Sequence, residues 1–268
     1  MRPPPQVYSQ LPAEALGGLM SGHNKWSTIK HKKGRADAKR GKVFTKIIRE
    51  ITVAAREAGG DPDSNPRLRA AVAAAKAANM PADNIKRAID RGTGVLDGVS
   101  YEEISFEGYG PGGVAVMLEL LTDNRNRTTP EIRHLFTRYG GNLGENGCVS
   151  WLFTRKGMIL VPRSEELDED EILELALEAG AEDLDTDDTD YFRIYTAPDE
   201  LHTVKDEIEA KGLVVEAAQM EMEPSSTTRL EGKAAQRMIH LMEAFDDHDD
   251  VQNVWANFDI DDEILAEG

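Results

Sequence analysis

The apolar residues of this chain change period once, and that change limits the folds open to it. Before Gly92 they recur at helical spacing. Phe44, Ile47, Ile48, Ile51, Ala54, Ala55 and Ala58 form one stripe, with Lys42, Lys46 and Arg49 lying off it. Gly59-Gly60 ends that helix, and Asn65-Pro66 opens a second with Leu68, Val72, Ala75 and Ala78 on its apolar side. Asn79-Met80-Pro81 breaks the second helix, and Ile85, Ala88 and Ile89 make a short third one. From Tyr101 onward strands and helices alternate. Tyr101–Tyr109 and Val114–Leu121 read as strands about the loop Gly110-Pro111-Gly112-Gly113, followed by a helix starting at Thr129-Pro130. Val149–Phe153 and Met158–Val161 read as separate strands, and Gly157 to Glu223 carries the order βαββαβ. Pro224 to Thr228 reads as a linker, before a helix over Lys233–Phe245 and a strand over Val254–Phe258.

That order predicts an α+β protein: an N-terminal helical bundle followed by two α/β lobes, the second ferredoxin-like and inserted into the first. The C-terminal helix and strand lack partners nearby in sequence, so they are expected to return to the middle lobe. The boundaries follow as a basic helical domain over 20–97, a discontinuous middle domain over 98–156 and 224–262, and an inserted domain over 157–223. Residues 1–19 are proline-rich, lack an apolar period and read as a disordered, dispensable extension. Met20 is then the natural start.

Charge is segregated as sharply as periodicity. Residues 20–92 hold 17 Lys and Arg against 7 Asp and Glu, whereas 93–268 hold 13 against 41. A strongly basic module on an acidic body points to a polyanionic partner approached through one face. The densest cations are Lys25, Lys30, Lys32, Lys33, Arg35, Lys39, Arg40, Lys42 and Lys46, with His31 and the aromatic Trp26 among them. Lys and Arg there would hold phosphates, and Trp26 would stack on an unpaired base. Arg125 and Arg127 offer a second, weaker phosphate contact.

Other chemistries find little support. Gly108-x-Gly110-x-x-Gly113 has dinucleotide spacing, but Val114 to Leu118 continues as a strand where that fingerprint must open a helix. Six histidines show no metal-ligand pairing, and Asp185–Asp190 and Asp246–Asp250 read as solvated acidic turns. Cys148 reads as a small buried hydrophobe, not a catalytic thiol. No catalytic residues, metal or cofactor are expected. One cysteine and no apolar run of the ~18–20 residues that span a bilayer suggest a cytoplasmic protein without a membrane partner.

Longer motifs carry a family resemblance. Met20-Ser21-Gly22-His23-Asn24-Lys25-Trp26-Ser27-Thr28-Ile29-Lys30-His31-Lys32-Lys33, Arg35 through Arg49, Asn79 through Ile85, Gly108 through Gly113 and Thr122 through Thr128 resemble the YebC/PmpR family, from Met20 to about Asp261. The resemblance implies a three-domain, non-enzymatic protein. It implies either DNA-binding control of transcription or a translation factor on ribosomal RNA, as for the related mitochondrial translational activator of cytochrome c oxidase. A monomer or weak oligomer is expected, with the acidic lobes free for a protein partner.

Overall fold

The computed structural model describes residues 40–164 and 167–261. Three helices open it: α1 (Arg40–Ala58), α2 (Pro66–Ala77) and α3 (Ala82–Gly92). Their core is Ile51, Ala54, Ala55, Leu68, Ala71, Ala75, Met80, Ile85 and Ala88. The alanines let the axes approach closely, and at Gly92 a Cβ would stand 2.4 Å from the Thr52 carbonyl oxygen. Asn65 is buried and closes the α1–α2 turn. Its Oδ1 accepts from the Leu68 N–H at 3.0 Å, and its Nδ2 donates to the carbonyls of Ala54 and Gly59 at 2.8 and 2.9 Å. Asn65→Ala removes a helix cap and orphans two acceptors, for an expected loss of about 2 kcal/mol. Thermal melting checks this. A loss no larger than that of the surface change Asn126→Ala would refute it.

The middle sheet has the order β3-β1-β2-β9, from β1 (Glu102–Tyr109), β2 (Ala115–Thr122), β3 (Asn142–Leu143) and β9 (Val251–Ala256). All its pairings are antiparallel. Helices α4 (Arg125–Tyr139) and α7 (Gly232–Asp246) pack together on it, burying Val116, Leu118, Leu120, Ile132, Phe136, Met238, Met242 and Phe245. The C-terminal helix and strand do return to this sheet, with Val254 opposite Leu118.

Between β3 and α7 lies a second sheet, ordered β5-β6-β4-β7: β4 (Phe153–Pro162), β5 (Asp183–Asp185), β6 (Tyr191–Thr196) and β7 (Ala217–Pro224). Helices α5 (Glu169–Glu178) and α6 (Leu201–Ala210) cover one face. Chain order and strand order together are those of a ferredoxin-like βαββαβ unit. The fold class is therefore α+β.

Several local expectations change. Val149–Phe153 is not a strand. The Glu107 carboxylate accepts from the N–H groups of Gly147, Val149 and Ser150 at 2.7–2.8 Å, so these donors are lost to any ladder. A 3-10 turn over Ser150–Leu152 follows, and β4 runs unbroken from Phe153. The fourth helix starts five residues before Thr129-Pro130, because Asn124 caps it by accepting from the Arg127 N–H at 3.1 Å. Within the Pro224–Thr228 linker, Thr228 begins β8 (Thr228–Arg229), which pairs in parallel with β10 (Phe258–Asp259). The acidic turn before β6 is not simply solvated. It clamps Arg193, a fully buried residue, between Asp185 at 2.9 Å and Asp188 at 2.5 Å.

Candidate nucleic-acid interface

Of the residues expected to contact nucleic acid, Lys25, Trp26, Lys30, His31, Lys32, Lys33, Arg35 and Lys39 lie outside the described residues. Arg40 opens α1. The remaining four, Lys42, Lys46, Arg125 and Arg127, sit at the joint between the helical bundle and the middle lobe, and each has an acidic or carbonyl partner.

Lys42, Lys46 and Arg49 recur at i, i+4 and i+7, so one side of α1 is cationic. That side faces the end of α7 and the loop into β9. Lys42 pairs with Asp247 at 3.4 Å, and Lys46 Nζ donates to the Asp246 carbonyl at 2.8 Å. Arg49 Nη1 donates to the carbonyls of Leu121 and Asp249 and to Asp250 Oδ1 at 2.5 Å. Its guanidinium also lies over the Tyr101 ring, 5.4 Å from the centroid. Asp246–Asp250 is therefore a docking loop, in place of the solvated turn its composition suggested.

Asp250 is the centre of this lock. Its side chain is 2 % exposed, and Oδ2 receives Arg127 at 2.8 Å and the Thr128 hydroxyl at 2.6 Å. Burial by itself would raise its pKa. The hydrogen bonds from Thr128, Arg127 and Arg49 outweigh that and hold it down at about 2. A second tie joins the bundle to β1: Arg67 reaches Glu50 and Glu57 within the bundle and Glu103 across it. Arg125 pairs with Glu102 at 3.6 Å.

Glu131, His248 and Asp250 come within 4.8 Å of one another through their ligand-type atoms. The set is already paired. His248 Nδ1 accepts from the Asp250 N–H, which leaves Nε2 toward Glu131 at 3.2 Å, and both Asp250 oxygens are occupied by arginine. Burial and the Glu107 charge push the Cys148 thiol up, away from the thiolate a nucleophile needs. The glycine-rich loop is a hairpin connection between β1 and β2, as its sequence context suggested. Gly112 and Gly113 have φ of +72° and +81°, and at Gly112 a Cβ would stand 2.4 Å from Leu230.

The docked bundle leaves an open cleft of about 750 Å³ between α1, α4 and the docking loop, its walls mixing Lys42, Arg127, His134 and His248 with the acids Glu131, Asp247 and Asp249. Beyond it, the pairing of cations is uneven. Thirteen Lys and Arg lie after Thr93. Eight have a carboxylate within 4.0 Å. Arg133, Arg138, Arg155, Lys233 and Arg237 have none among the described residues, and four of these five lie on α4 and α7. The sequence reading passed over them, although a signal was there. Arg133, Arg138, Lys233 and Arg237 have no acid three or four residues away, whereas Lys86, Arg127 and Lys205 do and pair with it.

Comparison with known proteins agrees with this architecture. Residues 24–95 match the model of the TACO1/YebC protein N-terminal domain, and residues 101–258 match that of the TACO1/YebC second and third domain. A Desulforapulum autotrophicum protein named "Probable transcriptional regulatory protein" is 60% identical over 245 residues, covering 91% of this chain and 98% of its own. A Geobacter sp. protein of the same name is 57% identical over 246 residues, 92% and 98% of the two chains. The crystal structure of the conserved hypothetical protein Aq1575 from Aquifex aeolicus matches at a TM-score of 0.81 and 53% identity, over 90% of this chain and 99% of that one.

Proposed function

The chain belongs to the TACO1/YebC family, and from that premise we propose that it regulates gene expression without catalysis, by gripping nucleic acid through its basic N-terminal third. The observation that carries this reading is the segregation of charge, 17 cations against 7 acids in residues 20–92 and 13 against 41 beyond. Residues 25–40 supply the contact. Lys42 and Lys46, which follow that segment in sequence, hold the bundle to the middle lobe. The relatives' shared name supports DNA and transcription. Translation through ribosomal RNA is the second reading, favoured by Trp26, since an aromatic platform gains most from an unpaired base. The protein works in the cytoplasm, its acidic lobes facing a protein partner. Among the described residues no helix is long and apolar enough to cross a membrane.

Crosslinking in living cells, with sequencing of bound DNA and bound RNA together, tests this. Recovery of discrete DNA loci supports transcriptional control. Recovery of ribosomal RNA at one site transfers the function to translation. Absence of both in excess of a Lys30/Lys32/Lys33→Ala control overturns the proposal.

A further inference from the structure

On the reading that this protein binds nucleic acid, we propose that the groove between α4 and α7 is a second phosphate track. It holds the same strand that the basic N-terminal segment grips.

The two helices run antiparallel. Phe136 meets Phe245 at 4.9 Å between ring centroids, Tyr139 meets His240 at 6.5 Å, and His248 reaches Glu131. These contacts fix which sides face each other. On α4 the line beside the groove is Arg127, His134 and Arg138, at i, i+7 and i+11. On α7 it is Lys233, Arg237 and His240, at i, i+4 and i+7. At one end the Arg237 guanidinium lies over Gly140, 3.8 Å from where a Cβ would stand, beside Arg138 and its neighbour Tyr139. At the other end Arg127 and His134 open into the cleft that Lys42 also lines. Lys42 follows Arg40 by two residues in sequence, at the start of α1.

Charge complementarity selects the occupant. Along the two helices the acids are already engaged, Glu131 by His248 and Arg127 and Glu243 by His240, while the cleft at one end also carries Asp247, paired with Lys42, and the exposed Asp249. Arg138, Lys233 and Arg237 have no carboxylate among the described residues, in lobes where most cations are paired. A stiff polyanion meets repulsion over the acidic lobes and attraction along this groove, where three of the five cations without a carboxylate among the described residues cluster. One helical turn from His134 to Arg138 advances about 6 Å, close to two steps of the 3.4 Å rise per nucleotide of one duplex strand. Contacts of this kind position a backbone without reading its bases.

The experiment is a salt titration of the full chain on labelled nucleic acid, using a long probe and a short one that the basic segment spans by itself. Arg138→Ala/Lys233→Ala/Arg237→Ala is expected to flatten the slope of log K against log salt by about 2 to 3 on the long probe and leave the short one unchanged. Arg138→Lys/Arg237→Lys should keep the wild-type slope, since a phosphate accepts either cation, and this separates contact from folding. Arg155→Ala, an unpaired cation on β4 in the other sheet, should change nothing. An unchanged slope in the triple variant, alongside a flattened one in Lys30/Lys32/Lys33→Ala, overturns the groove and leaves the N-terminal contact standing. Failure of the wild type to bind either probe removes the nucleic-acid reading itself. Stronger binding of poly-glutamate than of nucleic acid would assign the groove to an acidic protein and overturn the proposal.

Discussion

Replacing Asp250 by alanine should cost about 3–5 kcal/mol and free the helical bundle from the middle lobe, because it leaves the largely buried Arg49 without a carboxylate, while Arg127 keeps Asp123. For a chain of this size that is a fall of roughly 10 °C in melting temperature. Arg49→Ala should cost less, since Asp250 keeps Arg127 and Thr128. The double variant should be little worse than Asp250→Ala, a coupling that a mutant cycle reads directly. Acid reports the same lock. The folded-state pKa of Asp250, about 2, lies below its ordinary value of 3.8, so the unfolded chain takes the proton first. This stability is fully present above pH ~4 and is lost as pH falls toward 2, in total about 2 kcal/mol. Glu107 is likewise held below the usual carboxylate range: burial raises its pKa, but the backbone N–H groups of Gly147, Val149 and Ser150 prevail. Acid sensitivity therefore persists in Asp250→Asn, and the difference between the two pH profiles belongs to Asp250. Superimposable profiles would refute the lock.

Lys30→Ala/Lys32→Ala/Lys33→Ala should flatten the salt dependence of nucleic-acid binding by about 2.7 in log–log slope on duplex DNA and about 2.1 on single strands. Trp26→Ala distinguishes the targets. A duplex offers its bases stacked and paired, so the loss there should be small. On unpaired RNA one stacked base is worth ~1–3 kcal/mol, a roughly five- to hundred-fold weakening. Fluorescence anisotropy on matched DNA and RNA probes measures both effects. If the triple variant binds each as the wild type does, this segment is not the contact surface.

Much of the architecture was legible because it rests on local signals. The stripe from Phe44 to Ala58, the Asn65-Pro66 cap and the βαββαβ order each follow from residues within a few turns of one another. The Asn124 cap and the Asp185/Asp188 clamp on Arg193 were local and still misread, but the other misread elements depend on partners distant in sequence. Glu107 takes the backbone donors of Gly147, Val149 and Ser150 from about forty residues away, and nothing within Val149–Phe153 signals that. The same holds for the site. Lys42, Lys46 and Arg49 looked like a free cationic face, and Asp246–Asp250 like a free acidic one. Their complementarity was visible in the sequence, but their juxtaposition across some 200 residues was not. Arg138 and Arg237 went unnoticed because neither sits in a dense run. What distinguishes them is the missing acid one turn away.

The strands that carry the chain into and out of the second sheet are hydrogen-bonded neighbours. Phe153 lies opposite Pro224, and the Ser225 N–H donates to the Leu152 carbonyl at 2.7 Å. Antiparallel partners stand only about 5 Å apart, so everything between them hangs from a two-stranded ribbon with a single footprint. Such an attachment twists and bends far more readily than it stretches. Exchanging the distal lobe for a tight turn would leave the host's hydrogen-bond ladder with no gap to bridge.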